Sequence, residues 1–361
     1  IQWALCLTVA LLPVAWALNL PLRAGMLLYP EQVAGLMLGL AAASVYLRDI
    51  LHVRGLRLLI DLLLAAVSLW VGIHLLLRFP VLSEGSFFHP EESLALGAGI
   101  ALVSIEGLRR LGALSLVMIL GLLVLYALFS DLVPGQLQGK PIAFDEIVRF
   151  IGVDSAATLG SALQVAAFVV IMFIIFGQLL VVTGGAGVLT DAARVLAGER
   201  RGATAKMAVI ASAFMGSISG SAVSNVMSTG VITIPAMKRA GFRPQTAGAI
   251  EAVASTGGQI LPPVMGAAAF LMAEYLRLPY REIVIAAVIP ALLYFYSVYL
   301  QISVLAEKHN LGAGDQEPPK PLAVIGRHAV VVVVPMLTLL VGLFAFDVSA
   351  EEAVVWASLA L

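Results

Sequence analysis

KMAVIASAFMGSISGSAVSNVMSTGVITIPAMK, Lys206 to Lys238, decides how the rest of the chain is read. Two apolar arms meet at a Gly/Ser turn, with basic residues at both ends. The 31 residues between the lysines exceed the ~20 that one helix needs to cross a bilayer and fall short of the ~40 that two crossings need. Arg200, Arg201 and Lys206 stand before the arms and Lys238, Arg239 and Arg243 after them, and basic residues favour the cytoplasmic side. A segment that enters and leaves on one side is expected to be a re-entrant hairpin.

Its tip, Gly216-Ser217-Ile218-Ser219-Gly220-Ser221, is followed by Ser224, Asn225, Ser228 and Thr229, which brings hydroxyls and an amide to membrane depth. Irregular backbone is tolerated there only where protein buries it or it lines an aqueous cavity. The first arm is expected to end in free carbonyls that suit a cation, and the second to begin with free N–H groups that suit an anion. That is transporter chemistry.

Composition agrees. The chain is 61% hydrophobic and 12% charged, with a mean hydropathy of +1.01, which identifies an integral membrane protein. The net charge of -1, with no long basic tract, gives nothing for a nucleic acid to bind. A lone Cys6 excludes an intrachain disulfide and a cysteine-based metal site.

Working outward, spans are expected at Trp3–Leu18, Val33–Leu47, Leu58–Leu77, Leu94–Leu108, Leu111–Phe129, Leu159–Val182, Ile283–Ala306 and Val330–Phe346. Asn19–Gln32, with Pro21 and Pro30, reads as a loop, and Gly35 and Gly39 have the small-xxx-small spacing of close helix contacts. Basic loops (Arg48, His52, Arg54, Arg57; Arg109, Arg110) alternate with acidic ones (Phe79–Glu92; Asp131–Asp154), starting from a cytoplasmic N-terminus. Val188–Ala197 is amphipathic, with Asp191 and Arg194 on one face, and suits the cytoplasmic surface. Glu307–His328, with Gly312, Gly314, Pro318, Pro319 and Pro321, is the most linker-like stretch. Asp61 and His74, near the ends of the third span, could form a proton relay. The preferred reading is an interfacial Asp one turn from Arg57 and a His at the opposite headgroups.

A second unusual segment runs from Pro244 to Arg277. Its apolar character is broken by Ser255-Thr256-Gly257-Gly258-Gln259 and by Pro262-Pro263, and paired glycines and prolines each damage a continuous helix. A broken transmembrane helix is expected, with halves Thr246–Ala254 and Val264–Leu276 and the prolines in the first turn of the second half. Glu251 stands on the first half. It is read either as a proton carrier or counter-charge to a cation, or as a partner of Arg243 or Lys206.

Two stretches, GSISGSAVSNVMSTGVITIPAMKRAGF from Gly216 to Phe242 and AGAIEAVASTGGQILPPVMGAAAFLMAEYL from Ala247 to Leu276, resemble the fused membrane permease of tripartite ATP-independent periplasmic (TRAP) transporters, in the subgroup served by TAXI-type binding proteins. The resemblance implies an all-α polytopic protein of the bacterial inner membrane. Residues 1–130 would be small-subunit-like scaffold helices and connector. Residues 131–361 would be the first repeat of the large transport subunit, with hairpin 206–238 and broken helix 244–277, and the chain would be a fragment lacking the second inverted repeat. It further implies elevator-type alternating access, an Na+ or H+ gradient, a periplasmic substrate-binding protein, small organic acids such as C4-dicarboxylates as substrates, and contact with membrane lipid.

The candidate substrate- and ion-binding residues are Gly216, Ser217, Ser219, Gly220, Ser221, Ser224, Asn225 and Thr229 of the hairpin, and Glu251, Ser255, Thr256, Gly257, Gly258, Gln259, Pro262 and Pro263 of the broken helix. An Na+ site is expected from backbone and hydroxyl oxygens of Ser219, Ser221 and Thr256. Neither segment carries an Arg or Lys between the hairpin's lysines or from Gln245 to Leu276, so a guanidinium clamp for an anion would come from outside this half. The competing readings are a binding-protein-independent secondary anion transporter, a purely structural subunit, and an intramembrane serine hydrolase built on Ser217-Ile218-Ser219-Gly220. The hydrolase needs a base within reach, and all five histidines are expected near loops or interfaces. No catalytic residue is assigned and no enzyme activity is expected. The absence of GxxxxGK[ST] disfavours ATP-driven transport.

Overall fold

The computed structural model describes residues 2–48, 50, 53–85, 88–198, 201–309, 311 and 322–361. Asp49, His52, Arg200 and the Gly/Pro-rich stretch from Gly312 to Pro321 lie outside the described residues. Among the described residues the regular structure is helical, without strands, as bilayer-spanning chains that are not barrels must be. The helices cluster into two units, Ile1–Phe168 and Val169–Leu361.

The first unit holds α1 (Gln2–Ala17), α2 (Leu20–Arg23), α3 (Pro30–Tyr46), α4 (Leu56–Gly85), α5 (Pro90–Arg110), α6 (Leu114–Leu128), α7 (Phe144–Val153) and α8 (Ser161–Gln164). Helices α3 and α4 approach closely at the glycines the spacing singled out. A Cβ on Gly39 would lie 2.5 Å from the Ser68 carbonyl and 2.7 Å from Gly72 Cα. Gly39→Val is therefore expected to destabilise this unit by about 1–3 kcal/mol through overpacking, read as a lower unfolding midpoint in detergent.

Two polar clusters tie the ends of α4 and α5. At one end Asp61 is buried, and its carboxylate lies 2.6 Å from Arg110 Nη2. This corrects the expected interfacial Asp beside Arg57: the partner comes from another helix, and sequence proximity did not reveal it. At the other end His74 Nε2 lies 2.7 Å from Glu92 Oε1, and Arg78 grips both Glu92 oxygens at 3.1 Å. The Arg78 hydrogen bond is the largest cause holding the Glu92 carboxyl down at about 2. The stabilisation from this ionised carboxylate is complete above the ordinary carboxylate pKa and is lost as the pH falls toward 2.

The region expected to be an acidic outer loop contains α7, which crosses α5 so tightly that a Cβ on Gly97 would meet the Val148 carbonyl at 1.8 Å. Ten residues are too few to read as a span, so only the apolar face of α7, with Val148 and Val153 buried, marks it. The expected loop Asn19–Gln32 likewise holds the short α2 and the start of α3.

The second unit contains α9 (Ile171–Val182), α10 (Gly185–Ala197), α11 (Ala203–Ser219), α12 (Ala222–Arg239), α13 (Pro244–Gly257), α14 (Ala267–Leu276), α15 (Tyr280–Lys308), α16 (Leu322–Phe344) and α17 (Ala350–Leu359). A π-helical turn, Val165–Val170, leads from α8 to α9. On the amphipathic α10, Arg194 and Asp191 lie 3.9 Å apart. Among the described residues three stretches, Leu56–Glu84, Ser161–Val182 and Tyr280–Lys308, are long and apolar enough to cross a membrane, while the spans expected around Trp3–Leu18, Leu111–Phe129 and Val330–Phe346 fall on shorter apolar helices.

The base of the α11–α12 pair packs on the C-terminal end of α15. Ala205, Ala208, Met237, Phe242 and Ile302 share one apolar core, and the Lys206 ammonium sits 5.1 Å from the Tyr299 ring centroid, a cation–π distance. Both ends of the hairpin thus meet the same end of one long helix. At the opposite end of α15, Arg281 bonds Asp347 at 2.5 Å.

Candidate functional site

The chain turns between α11 and α12 where the sequence offers a residue without a side chain. Gly220 has φ +59° and caps α11, its N–H bonding the Gly216 carbonyl at 3.0 Å. A Cβ on Gly220 would meet the Met265 carbonyl at 1.8 Å. Ser221 caps α12, its hydroxyl accepting from the Ser224 N–H at 3.3 Å, which satisfies one orphan donor of the new helix.

Helix α13 stops at Gly257, continues as a single 3-10 turn, Gly258–Ile260, and α14 begins only at Ala267. The expected break is present, but Pro262 and Pro263 lie within it and not in the first turn of the second half. Gly266 is the residue before that turn, so the second half starts three residues later than its apolar content suggests. Gly257 lies against Tyr294, where a Cβ would be 2.3 Å from the ring, and Tyr294 is the central residue of α15. At 1.5 Å per residue α15 is about 43 Å long, so the break sits roughly 21 Å from either end.

Hairpin and break are joined backbone to backbone. A Cβ on Gly216 would lie 2.2 Å from Gly258 Cα, and one on Gly258 would lie 2.5 Å from Gly216 Cα. The Val264 N–H donates to the Ser217 carbonyl at 3.2 Å, and the Tyr280 hydroxyl bonds the carbonyls of Pro263 at 2.8 Å and Val264 at 2.6 Å. Two carbonyls of the last turn of α11, Gly216 and Ser217, are therefore engaged within the protein.

Just below this crossing lies Glu251, fully buried. Its Oε1 accepts from Thr229 at 2.5 Å, Ser212 at 3.1 Å and Ser255 at 3.2 Å, and its Oε2 from Thr233 at 2.5 Å. Among the described residues no Lys or Arg pairs with it, so the alternative pairing with Arg243 or Lys206 is set aside. Asn225, also fully buried, donates from Nδ2 to the Ser212 carbonyl at 2.7 Å. A carboxylate removed from water without a cation depends on such donors.

Thr229 and Thr233 also lie within hydrogen-bond distance of the backbone carbonyl four residues earlier, at 2.9 and 3.0 Å.

The candidates do not form a single cluster. Asn225, Thr229, Glu251 and Ser255 converge in the buried cage. Ser217, Ser219, Ser221 and Ser224 are half-buried around the turn, Ser217 bonding the Phe214 carbonyl at 2.8 Å and Ser219 lying 3.5 Å from that of Ser221. Thr256 and Gln259 are exposed, with the Thr256 hydroxyl turned back to Ala252 at 2.7 Å. Gly216, Gly220, Gly257 and Gly258 allow the close approaches. Ser212 and Thr233 belong to the cage and were missed because they sit in apolar arms. A signal existed for Ser212, which precedes the turn by as many residues as Thr229 follows it, so that folding back brings the two hydroxyls to 3.3 Å.

An all-helical polytopic membrane protein in which a helical hairpin clasps a broken helix is the class these observations define. Residues 100–361 match the family described as "Tripartite ATP-independent periplasmic transporter, DctM component", and the chain belongs to that family, whose members are multi-pass inner-membrane transporter permeases and not enzymes. The C4-dicarboxylate TRAP transporter large permease protein DctM of Pseudomonas aeruginosa is 29% identical to it over 182 residues, which are 50% of this chain and 42% of that protein. The chain thus spans less than half the length of this curated relative.

Proposed function

We propose that this chain is part of an ion-driven permease that imports small organic anions, C4-dicarboxylates being the class suggested by the name of its relative. A periplasmic binding protein, of the TAXI type, delivers the substrate. Residues 1–130 act as a fused small-subunit-like scaffold and connector, of which residues 1–99 precede the family match. The hairpin and broken helix form the re-entrant first repeat of a transport part that moves as an elevator, and a second repeat completes the site. The carrying observation is Glu251, a fully buried carboxylate held, among the described residues, by hydroxyls alone where hairpin and break touch. An ionisable group at membrane depth marks a proton relay or a counter-charge to a bound Na+. The half-buried hydroxyls of Ser219, Ser221 and Ser224, with Gln259, face the anion, and the Na+ ligands expected from Ser219, Ser221 and Thr256 remain part of this reading.

Uptake of labelled succinate into proteoliposomes holding the full permease tests this, with Na+ and H+ gradients imposed separately and the binding protein present or omitted. The expected result is accumulation that requires one of the two gradients and the binding protein. Accumulation without the binding protein would favour a free-standing secondary carrier. Equilibration that ignores both gradients would overturn ion coupling.

A further inference from the structure

At the end of the first unit that the positive-inside rule assigns to the cytoplasm, a pocket of about 590 Å³ opens between the ends of α3, α4 and α5. Four guanidiniums, those of Arg48, Arg57, Arg109 and Arg110, line it, with Glu106 the one carboxylate among the described lining residues. Arg110 is set in place from beneath: buried Asp61 holds its Nη2 at 2.6 Å, Glu106 its Nε at 2.7 Å, and its guanidinium carbon lies 4.9 Å from the Tyr46 ring centroid. Arg109 also bonds both oxygens of Glu106 at 2.7 Å. The two carboxylates are thereby spent on Arg109 and Arg110. Arg48 and Arg57 are exposed and make no ion pair among the described residues.

A loop needs only scattered positive charge to fix topology. Here charges from two helices and from the turn after a third converge on one concavity, and one of them is pre-oriented by a buried acid, which is the arrangement that recognises a phosphate. Val45, Ile60 and Leu111 form the apolar part of the wall, and Leu56, Leu59 and Leu111 beside it are 74%, 65% and 69% exposed. Apolar surface continuous with a basic pocket at headgroup level suits an acyl chain below a charged head.

We infer that this pocket binds a phosphate-bearing anion, the phosphodiester of an anionic phospholipid, through Arg48 and Arg57 with Arg110 as the fixed anchor. The site lies in the first unit, is independent of the transport reading and would stand if that reading failed.

The test uses the full chain purified in mild detergent and titrated with phosphatidylglycerol, phosphatidylcholine or inorganic phosphate, with occupancy read by native mass spectrometry and protection by the unfolding midpoint. Phosphatidylglycerol is expected to remain bound and to raise the midpoint, while phosphatidylcholine does neither. At about 1 kcal/mol per basic residue, Arg57→Gln should weaken binding about fivefold and Arg48→Gln with Arg57→Gln more than about tenfold. Arg23→Gln, in the connection before α3 and outside the pocket lining, should leave binding unchanged. Protection by inorganic phosphate that Arg57→Gln weakens would assign the same phosphate chemistry to a free anion. Equal binding of phosphatidylcholine, or phosphatidylglycerol occupancy in Arg57→Gln indistinguishable from the unmodified chain, would overturn the proposal. The single variant removes one exposed side chain that makes no ion pair with any described residue, so the test does not depend on the double variant folding.

Discussion

Gly216→Ala, the addition of one methyl group, is expected to cost about 3 kcal/mol or more, the upper part of the overpacking range, and to abolish gradient-driven uptake. The new carbon would fall 2.2 Å from Gly258 Cα, where neither partner is a flexible side chain that can swing aside. Backbones must separate, and with them the hydrogen bond from Val264 to Ser217 and the seat of the turn against Met265. Gly248→Ala is the internal control, since a Cβ there meets nothing within 4 Å. It lies in helix α13, where replacing Gly by Ala is favourable by about 0.5–1 kcal/mol. Unfolding midpoints in one detergent should therefore move in opposite directions for two chemically identical substitutions. Equal shifts would mean that the glycine crossing does not hold hairpin to break.

The second large effect concerns the donors around Glu251. Thr229→Val and Thr233→Val keep shape and remove the two closest hydroxyls, each 2.5 Å from the carboxylate. A hydrogen bond to a charged group is worth about 1.5–3 kcal/mol, so the pair together should cost roughly 3–6 kcal/mol, and the Thr→Ser versions should stay close to the parent. Glu251→Gln in the same background should shrink the cost, because a neutral amide needs the donors less. Measured as a double-mutant cycle, a coupling near zero would show that the short contacts carry no charge-dependent energy.

How much of this was legible in the sequence depends on whether the signal was local. The hairpin and the broken helix announced themselves through length, basic ends, and paired glycines and prolines, all read along a single segment. The spacing of Gly35 and Gly39 likewise marked a helix contact that now has an identified partner at Gly72. What sequence could not supply was which elements face each other. Asp61 looked like a neighbour of Arg57 and is the partner of Arg110, 49 positions away. Glu251 had Arg243 and Lys206 as plausible cations, yet Lys206 stacks on Tyr299 and, among the described residues, the carboxylate is met by hydroxyls alone. Thr233, in an apolar arm beside a proline, carried no mark until the fold aligned it with Glu251. The start of α14 was misjudged because Val264 and Met265 are apolar enough to be helical, whereas Met265 adopts φ +55° and Gly266 opens the helix.

The most direct test of the central claim, that Glu251 is the group through which an ion gradient drives the hairpin and broken helix, is succinate uptake by Glu251→Gln beside the parent permease in proteoliposomes under Na+ and H+ gradients in turn. The glutamine keeps the size of the side chain and removes its charge and its exchangeable acid proton, and circular dichroism and gel filtration verify that the variant is folded. The expected outcome is a folded variant whose gradient-driven accumulation is lost. Accumulation at the parent rate under the same gradient would contradict it and leave the buried carboxylate a purely structural knot.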